Sequence, residues 1–252
     1  LLREWEIVQT AKEGIGACYS LVWNPRPANP KLDDEQRRAL DALLGSINAV
    51  TVFRGGAGTG KSFVLRELVE QVRQSGKGIV VLAPQRQQVV EMERAGFPSL
   101  KTVTSFLQRR ELAEGSVIVV DEAGQIGGRQ MLELIRLAKE RNARLILSGD
   151  TRQHGAVEAS DALLAIERHS GVRPIELHKI RRQDPERGRD KRERAQINQY
   201  RKAVEVAAAG KIAESFERLD KMGAVVSCGL GGQADTLAGE YVQLAEQNAS
   251  AV

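Results

Sequence analysis

The chain has 252 residues, 42% hydrophobic and 28% charged, with a formal net charge of +4. That length buries a substantial core in one large or two small domains, and the composition is that of a folded globular protein rather than a fibrous or disordered one. No uncharged apolar run approaches bilayer length and no secretion signal opens the chain, while Cys18 and Cys228 are too isolated for a disulfide framework or zinc site, so a reducing cytoplasm is expected.

The first residue is Leu1 rather than Met, which reads as a piece of a longer polypeptide. Residues 1 to about 19 have the periodicity of one amphipathic helix ended by Gly14-Ile15-Gly16. Residues 24–30 hold three of the seven prolines and form the best candidate domain boundary. Asp33 then caps a helix whose first turn is acidic.

Beyond it, β-branched runs alternate with amphipathic helices. Val50-Thr51-Val52-Phe53, Ile79-Val80-Val81-Leu82, Val117-Ile118-Val119-Val120 and Leu145-Ile146-Leu147 read as strands, and their near-continuous apolar character suits a parallel sheet covered on both faces. Residues 62–73 and 129–140 read as helices between them. The expected architecture is α/β with right-handed crossovers up to about residue 178. Two further helices, 190–209 and 211–221, and a strand Ala224-Val225-Val226-Ser227 are expected after it. Residues 179–202 carry ten Lys/Arg against four Asp/Glu, so the basicity of the chain is local; the stretch reads equally as a phosphate-tracking surface and as a solvated helix.

The densest signal is Gly55-Gly56-Ala57-Gly58-Thr59-Gly60-Lys61-Ser62, which matches G-x-x-x-x-G-K-[ST] between a predicted strand and a predicted helix. Glycines let successive backbone N–H groups turn inward around an anion, and the helix N-terminus adds its partial positive charge. Lys61 then reaches the β- and γ-phosphates and Ser62 ligates Mg²⁺, so the expected ligand is a nucleoside triphosphate. Strand 117–120 ends in Asp121-Glu122 where a parallel sheet presents its ligand-binding edge. Asp121 is expected to hold Mg²⁺ through water and Glu122 to polarise the attacking water. After strand 145–147, Asp150 and Gln153 are placed to sense the γ-phosphate.

Taken in order, LDDEQ with Gln36, GGAGTGKS, VVLAP, VIVVDEAG, LILSGDTRQ and LHKIRRQ resemble the successive motifs of superfamily 1 helicases, and most of all RecD-like enzymes of subgroup 1B and the helicase part of TrwC/TraI-type conjugative relaxases. The resemblance covers residues 32 to about 183 and extends more weakly on either side. It implies a RecA-like P-loop NTPase domain at 32–183, preceded by a helical segment and Pro-rich linker at 1–31 and followed by the incomplete start of a second RecA-like domain at 184–252. It implies ATP and Mg²⁺ as ligands, 5′ to 3′ movement on single-stranded DNA, and conjugation or repair machinery as the setting.

Residue by residue, the resemblance gives Gln36 the adenine, Gly55 to Ser62 the phosphates and metal, and Asp121 and Glu122 the metal and catalytic base. It gives Gln153 the coupling of γ-phosphate to movement, and Arg182 a γ-phosphate contact, with Arg181 as the alternative if the motif slips by one. Pro84, Gln85, Arg86, Thr102 and Thr104 would lie along DNA, with His154 a loop residue or DNA contact. The family usually has Thr or Ser where this chain has Gln85. Phe106 reads either as a base-stacking ring or as core. The second arginine that completes such a motor is not in the sequence, so nucleotide binding stronger than turnover is expected. Two other readings stay open: a helicase-like module that recognises DNA or a partner without productive hydrolysis, and an unrelated P-loop enzyme such as a small-molecule kinase, which leaves Gln36, GDTRQ and IRRQ unexplained.

Overall fold

The computed structural model describes residues 2–56, 58–150, 162–181, 190–228 and 231–249. Six parallel strands, β1 (Val50–Gly55), β2 (Ile79–Ala83), β3 (Leu100–Thr102), β4 (Val117–Val120), β5 (Arg144–Gly149) and β6 (Ile175–Leu177), form one sheet in the order β3-β2-β4-β5-β1-β6. The strands alternate strictly. Val80, Leu82, Ile118, Val120, Leu145 and Leu147 face one core, while Val81, Ala83, Val117, Val119 and Ile146 face the other. Burial on both faces is why these runs are apolar throughout.

Helices α2 (Asp34–Leu44), α3 (Lys61–Gln74) and α4 (Arg86–Arg94) cover one face. Helices α1 (Leu2–Glu13), α5 (Val103–Arg109), α6 (Gly128–Glu140) and α7 (Ala162–His169) cover the other. This is the expected RecA-like arrangement of a parallel sheet between helical layers. The three-residue strands β3 and β6 are additions to the expected four; each is short enough that hydrogen bonding to its neighbour, not its own composition, defines it.

Helix α1 is built into this core. Ile7 and Ala11 are fully buried, and the Arg136 guanidinium clamps the Glu6 carboxylate at 2.6 and 2.7 Å. The proline segment is likewise anchored: Leu21, Val22 and Leu32 are buried on either side of it, and the Gln71 amide donates to the Arg26 carbonyl at 3.3 Å. Residues 24–30 therefore lie inside one compact unit, Leu1–Arg182, and the chain divides between Arg182 and Gln183.

The second unit contains α8 (Lys191–Ala208), capped by Asp190, α9 (Ile212–Lys221) and α10 (Gln233–Ala249). Helices α8 and α9 pack as a hairpin in which the Ser215 hydroxyl donates to the Ala203 carbonyl at 2.9 Å. The strand expected at Ala224–Ser227 does not form. After α9, backbone N–H groups of Met222, Gly223 and Ala224 close on the helix's last carbonyls. Among the described residues of this unit no strand is present to pair with the run, and β-branched composition alone does not make a strand.

Candidate active site

Sheet order determines what meets at the C-terminal edge. Strand β5 lies between β1 and β4, so the Gly-rich loop after β1, the acids after β4 and Asp150 after β5 emerge side by side. A Cβ built on Gly56 would lie 3.6 Å from an Asp150 carboxylate oxygen.

The loop requires its glycines at two places. Gly60, the residue before α3, has φ +84°, and a Cβ there would stand 2.5 Å from the Gln36 amide nitrogen. A Cβ on Gly55 would meet the Thr59 hydroxyl oxygen at 2.7 Å. Thr59 braces the turn from inside, its hydroxyl donating to the Gly56 carbonyl at 2.8 Å. The Lys61 ammonium is buried and donates to the Gly55 carbonyl, while Ser62, on the first turn of α3, is exposed at the loop. A cradle of backbone N–H groups with one buried cation and one exposed hydroxyl suits a polyphosphate with a divalent cation.

Asp121 is buried and accepts the Ser148 hydroxyl at 2.9 Å. Burial pushes its carboxyl above the ordinary aspartate range, against the Ser148 hydrogen bond and the nearby Lys61 charge. Glu122 is also pushed up, first by burial and then by the charge of Asp121, with Asp150 adding to it and Lys61 opposing. Its backbone has φ +50°, a left-handed conformation uncommon outside glycine and asparagine, which turns the chain into the short 3-10 turn Ala123–Gln125. Among the described residues Lys61 is the cation set against the buried Asp121 and half-buried Glu122, so the pair is short of positive charge and suits a divalent cation.

This arrangement has a thermodynamic cost. Because the folded state holds Asp121 more protonated than the unfolded state does, its contribution is most favourable below the ordinary aspartate value and is lost as pH rises through the raised one. Asp121→Asn keeps an acceptor for Ser148 without the charge. In EDTA and without nucleotide at pH 7 the variant is expected to melt about 2–4 °C higher, corresponding to about 1 kcal/mol, with the gain vanishing near pH 4. A lower melting temperature would show that burial of Asp121 is not the penalty described.

Gln36 is buried as the third residue of α2, in a capping box in which Asp33 accepts its backbone N–H at 3.0 Å and its side-chain oxygen accepts from the Asp33 N–H at 3.2 Å. Its amide nitrogen is thereby turned toward Gly60. Arg181 fixes this corner from the far side. Its guanidinium donates to both Asp33 oxygens at 2.8 and 2.7 Å, to Glu35 at 2.7 Å and to the Thr59 carbonyl at 2.7 Å, and its backbone N–H donates to the Gly58 carbonyl at 2.6 Å. Burial opposes ionisation of both acids, but the Gln36 N–H and Arg181 hold Asp33 below its ordinary value; the His178 N–H, Arg181 and the Lys179 N–H do the same for Glu35. Arg181→Ala takes the hydrogen-bonded cation from both carboxylates and leaves Asp33 the longer Lys179 contact at 3.8 Å. It is expected to cost about 2 kcal/mol at pH 7, a fall of about 4–8 °C, since charged hydrogen bonds are worth roughly that much. The loss should shrink below pH 4, where the acids protonate; a pH-independent loss would assign Arg181 a packing role instead.

At the β2–α4 junction Pro84 is half-buried and Gln85 and Arg86 are exposed. Thr102 is spent as the N-cap of α5, accepting the Ser105 N–H at 3.2 Å, and Thr104 is exposed and accepts from the Gln130 amide at 3.0 Å. Phe106 is fully buried in the core, which removes it as a base-stacking ring. The positions of Ala57, Gln153, His154 and Arg182 lie outside the described residues. No group of His, Cys, Asp and Glu resembling a protein-only metal centre occurs among the described residues, and no helix there is long and apolar enough to cross a membrane.

Ser148, Arg181 as an acid clamp and Gln125 were not among the expected site residues. Ser148 carries one signal, a polar residue in a buried strand, and Arg181 another, as the alternative arginine of LHKIRRQ, though neither announces its partner.

Comparison with known proteins places this geometry. The sequence signature of the AAA domain family AAA_30 matches residues 31–229. The chain is 32% identical over 172 residues to a probable conjugal transfer protein TraA of Sinorhizobium fredii, covering 66% of this chain and 15% of that protein. It is 30% identical over 221 residues to conjugal transfer protein TraA of Rhizobium radiobacter (82% and 20%), and 28% identical over 197 residues to the multifunctional conjugation protein TraI of Escherichia coli K12 (73% and 11%). It thus spans a fifth or less of the length of these relatives. The resemblance to TraI-type proteins expected from the motifs is borne out, and with the signature running unbroken from before Gln36 to beyond α9, the chain belongs to the AAA_30 family of AAA domains.

Proposed function

We propose that the chain is the ATP-hydrolysing part of a motor that moves along single-stranded DNA in the 5′ to 3′ direction, working in conjugation within a longer protein. One observation carries this reading: the glycine cradle with Lys61, the acids Asp121 and Glu122, the Pro84–Arg86 segment with its exposed Gln85 and Arg86, and Thr102 with the exposed Thr104 emerge from the same edge of one parallel sheet. The acids after β4 and the Pro84–Arg86 segment after β2 are then on neighbouring strands.

In this reading Gln36 hydrogen-bonds adenine, the N–H groups of Gly55, Gly56, Ala57, Gly58, Thr59 and Gly60 hold the phosphates, and Lys61 leaves the Gly55 carbonyl to bind the β- and γ-oxygens. Ser62 and Asp121 would hold Mg²⁺, which supplies charge neutralisation of the phosphates when bound. Glu122 accepts a proton from the attacking water, a task suited to a carboxylate whose affinity for protons is raised toward neutrality. Gln153 and Arg182 are assigned to the γ-phosphate on their motifs alone, and His154 to the strand. Residues 184–252 begin a second RecA-like domain, and a cytoplasmic setting suits the free thiols of Cys18 and Cys228.

One observation favours the partner-binding form of the recognition-module reading: the Gln85 side chain is turned back to Gln125 rather than left for a phosphate. Fluorescence anisotropy with a labelled oligo(dT), with and without a duplex competitor, tests the proposal. Salt-sensitive single-strand binding that duplex competes for poorly is expected. Equal affinity for both, or none, would sink it.

A further inference from the structure

The turn that follows Glu122 is held from two sides. On one, it lies against β5: a Cβ on Gly149 would meet the backbone nitrogens of Gly124 and Ala123 at 3.2 and 3.4 Å. On the other, the Gln125 side-chain oxygen accepts from two amides of the β2–α4 junction, Gln85 at 3.2 Å and Gln88 at 3.0 Å. Gln88 in turn accepts the Gln85 backbone N–H at 3.0 Å. One carbonyl oxygen has two acceptor sites, and both are used here.

This network adds a second link to elements that the sheet already joins, where the Asp121 N–H donates to the Leu82 carbonyl at 2.9 Å. Beyond those paired ends the two loops differ: Gln85 and Arg86 after β2 are exposed, while Glu122 after β4 is half-buried with left-handed backbone. Gln125 is only three residues beyond Glu122, inside a single tight turn whose Gln125 N–H returns to the Glu122 carbonyl at 2.9 Å. Two hydrogen bonds from α4 to Gln125 and one from Gln125 to the Glu122 carbonyl thus form a continuous chain from the α4 N-terminus to Glu122.

We propose that Gln125 is a positioning residue that couples occupancy of the Pro84–Arg86 segment by single-stranded DNA to the placement of Glu122 at the nucleotide, with Gln85 and Gln88 as the other half of the link. The proposal rests on the strand-binding reading above. It also gives Gln85 a role that a Thr or Ser, too short to reach across to Gln125, would not fill: the residue contributes to communication as well as to grip.

The test is thermodynamic linkage, because two ligands that communicate must alter each other's affinity by the same factor. Affinity for labelled oligo(dT) is measured with and without a non-hydrolysable ATP analogue and Mg²⁺, for the wild type, Gln125→Met, and Gln87→Met as a control on α4 outside the network. In the wild type the analogue is expected to change the DNA affinity by at least about fivefold. Gln125→Met should bring that ratio to within about twofold of unity while each ligand alone binds within about twofold of wild type. Gln87→Met should retain the wild-type ratio. An unchanged ratio in Gln125→Met overturns the proposal, as does a parallel loss of DNA or nucleotide affinity, which would make Gln125 a contact or a packing residue. A wild type that binds both ligands without linkage refutes the coupling but leaves the strand-binding reading intact, whereas one that binds no DNA refutes that reading itself.

Discussion

Replacing Lys61 with alanine is expected to reduce Mg-ATP turnover by about 10²–10³-fold and to weaken nucleotide binding in parallel, since a single preorganised donor to developing phosphate charge is worth that much. The physical case is local. Among the described residues, Lys61 is the cation that offsets the charge of both Asp121 and Glu122, and its ammonium rests on the Gly55 carbonyl at the floor of the loop. Its removal therefore does more than delete a phosphate contact. It also pushes both acids further toward protonation, so less charge is available for the metal. The fold should persist, because the loop is braced independently by Thr59 and by Arg181 on the Gly58 and Thr59 carbonyls. Isothermal calorimetry with Mg-ATP beside a melting curve separates the two effects; unchanged affinity in a folded variant would remove Lys61 from the site.

Glu122→Gln should separate binding from chemistry in the opposite way. Nucleotide affinity is expected to stay within about threefold of wild type, while turnover falls by about 10²–10⁴-fold, the range for loss of a positioned general base. Gln has the length of Glu and the same left-handed backbone requirement, so the turn through Ala123–Gln125 is kept. The wild-type rate should also fall on acidification at a pH above the ordinary glutamate value, since the base acts only when ionised and burial with Asp121 raises its hold on the proton. Single-turnover measurements in excess enzyme check both statements. A Glu122→Gln variant with near-wild-type turnover would transfer the role to another carboxylate at the edge, Asp121 or Asp150.

How much of this was legible beforehand follows from what each feature depends on. The glycine loop was legible because its chemistry is local: backbone that must turn inward, then a lysine and a hydroxyl at fixed spacing. The four long strands were legible because burial on both faces leaves an unbroken apolar run. Asp121 and Glu122 gained meaning from position, at the end of such a strand. By contrast, Arg181 reaches Asp33 and Glu35 across nearly 150 residues of chain, and Gln125 reaches Gln85 and Gln88 across about 40, so no local pattern announces them. The three-residue strands β3 and β6 exist through their neighbours' hydrogen bonds, and the run at Ala224–Ser227 has no such neighbour among the described residues. The prolines at residues 24–30 suggested a boundary, but the buried Leu21, Val22 and Leu32 around them tie the segment into the core. Phe106, open to two readings as a sequence, is settled by its complete burial.

The most direct test of the account is steady-state hydrolysis of Mg-ATP by the chain with and without single-stranded DNA, each beside Lys61→Ala. The account predicts a low rate that rises with DNA and disappears in the variant. Single-strand binding with no Lys61-dependent turnover, in the presence or absence of DNA, would contradict it and leave a recognition module in place of a motor.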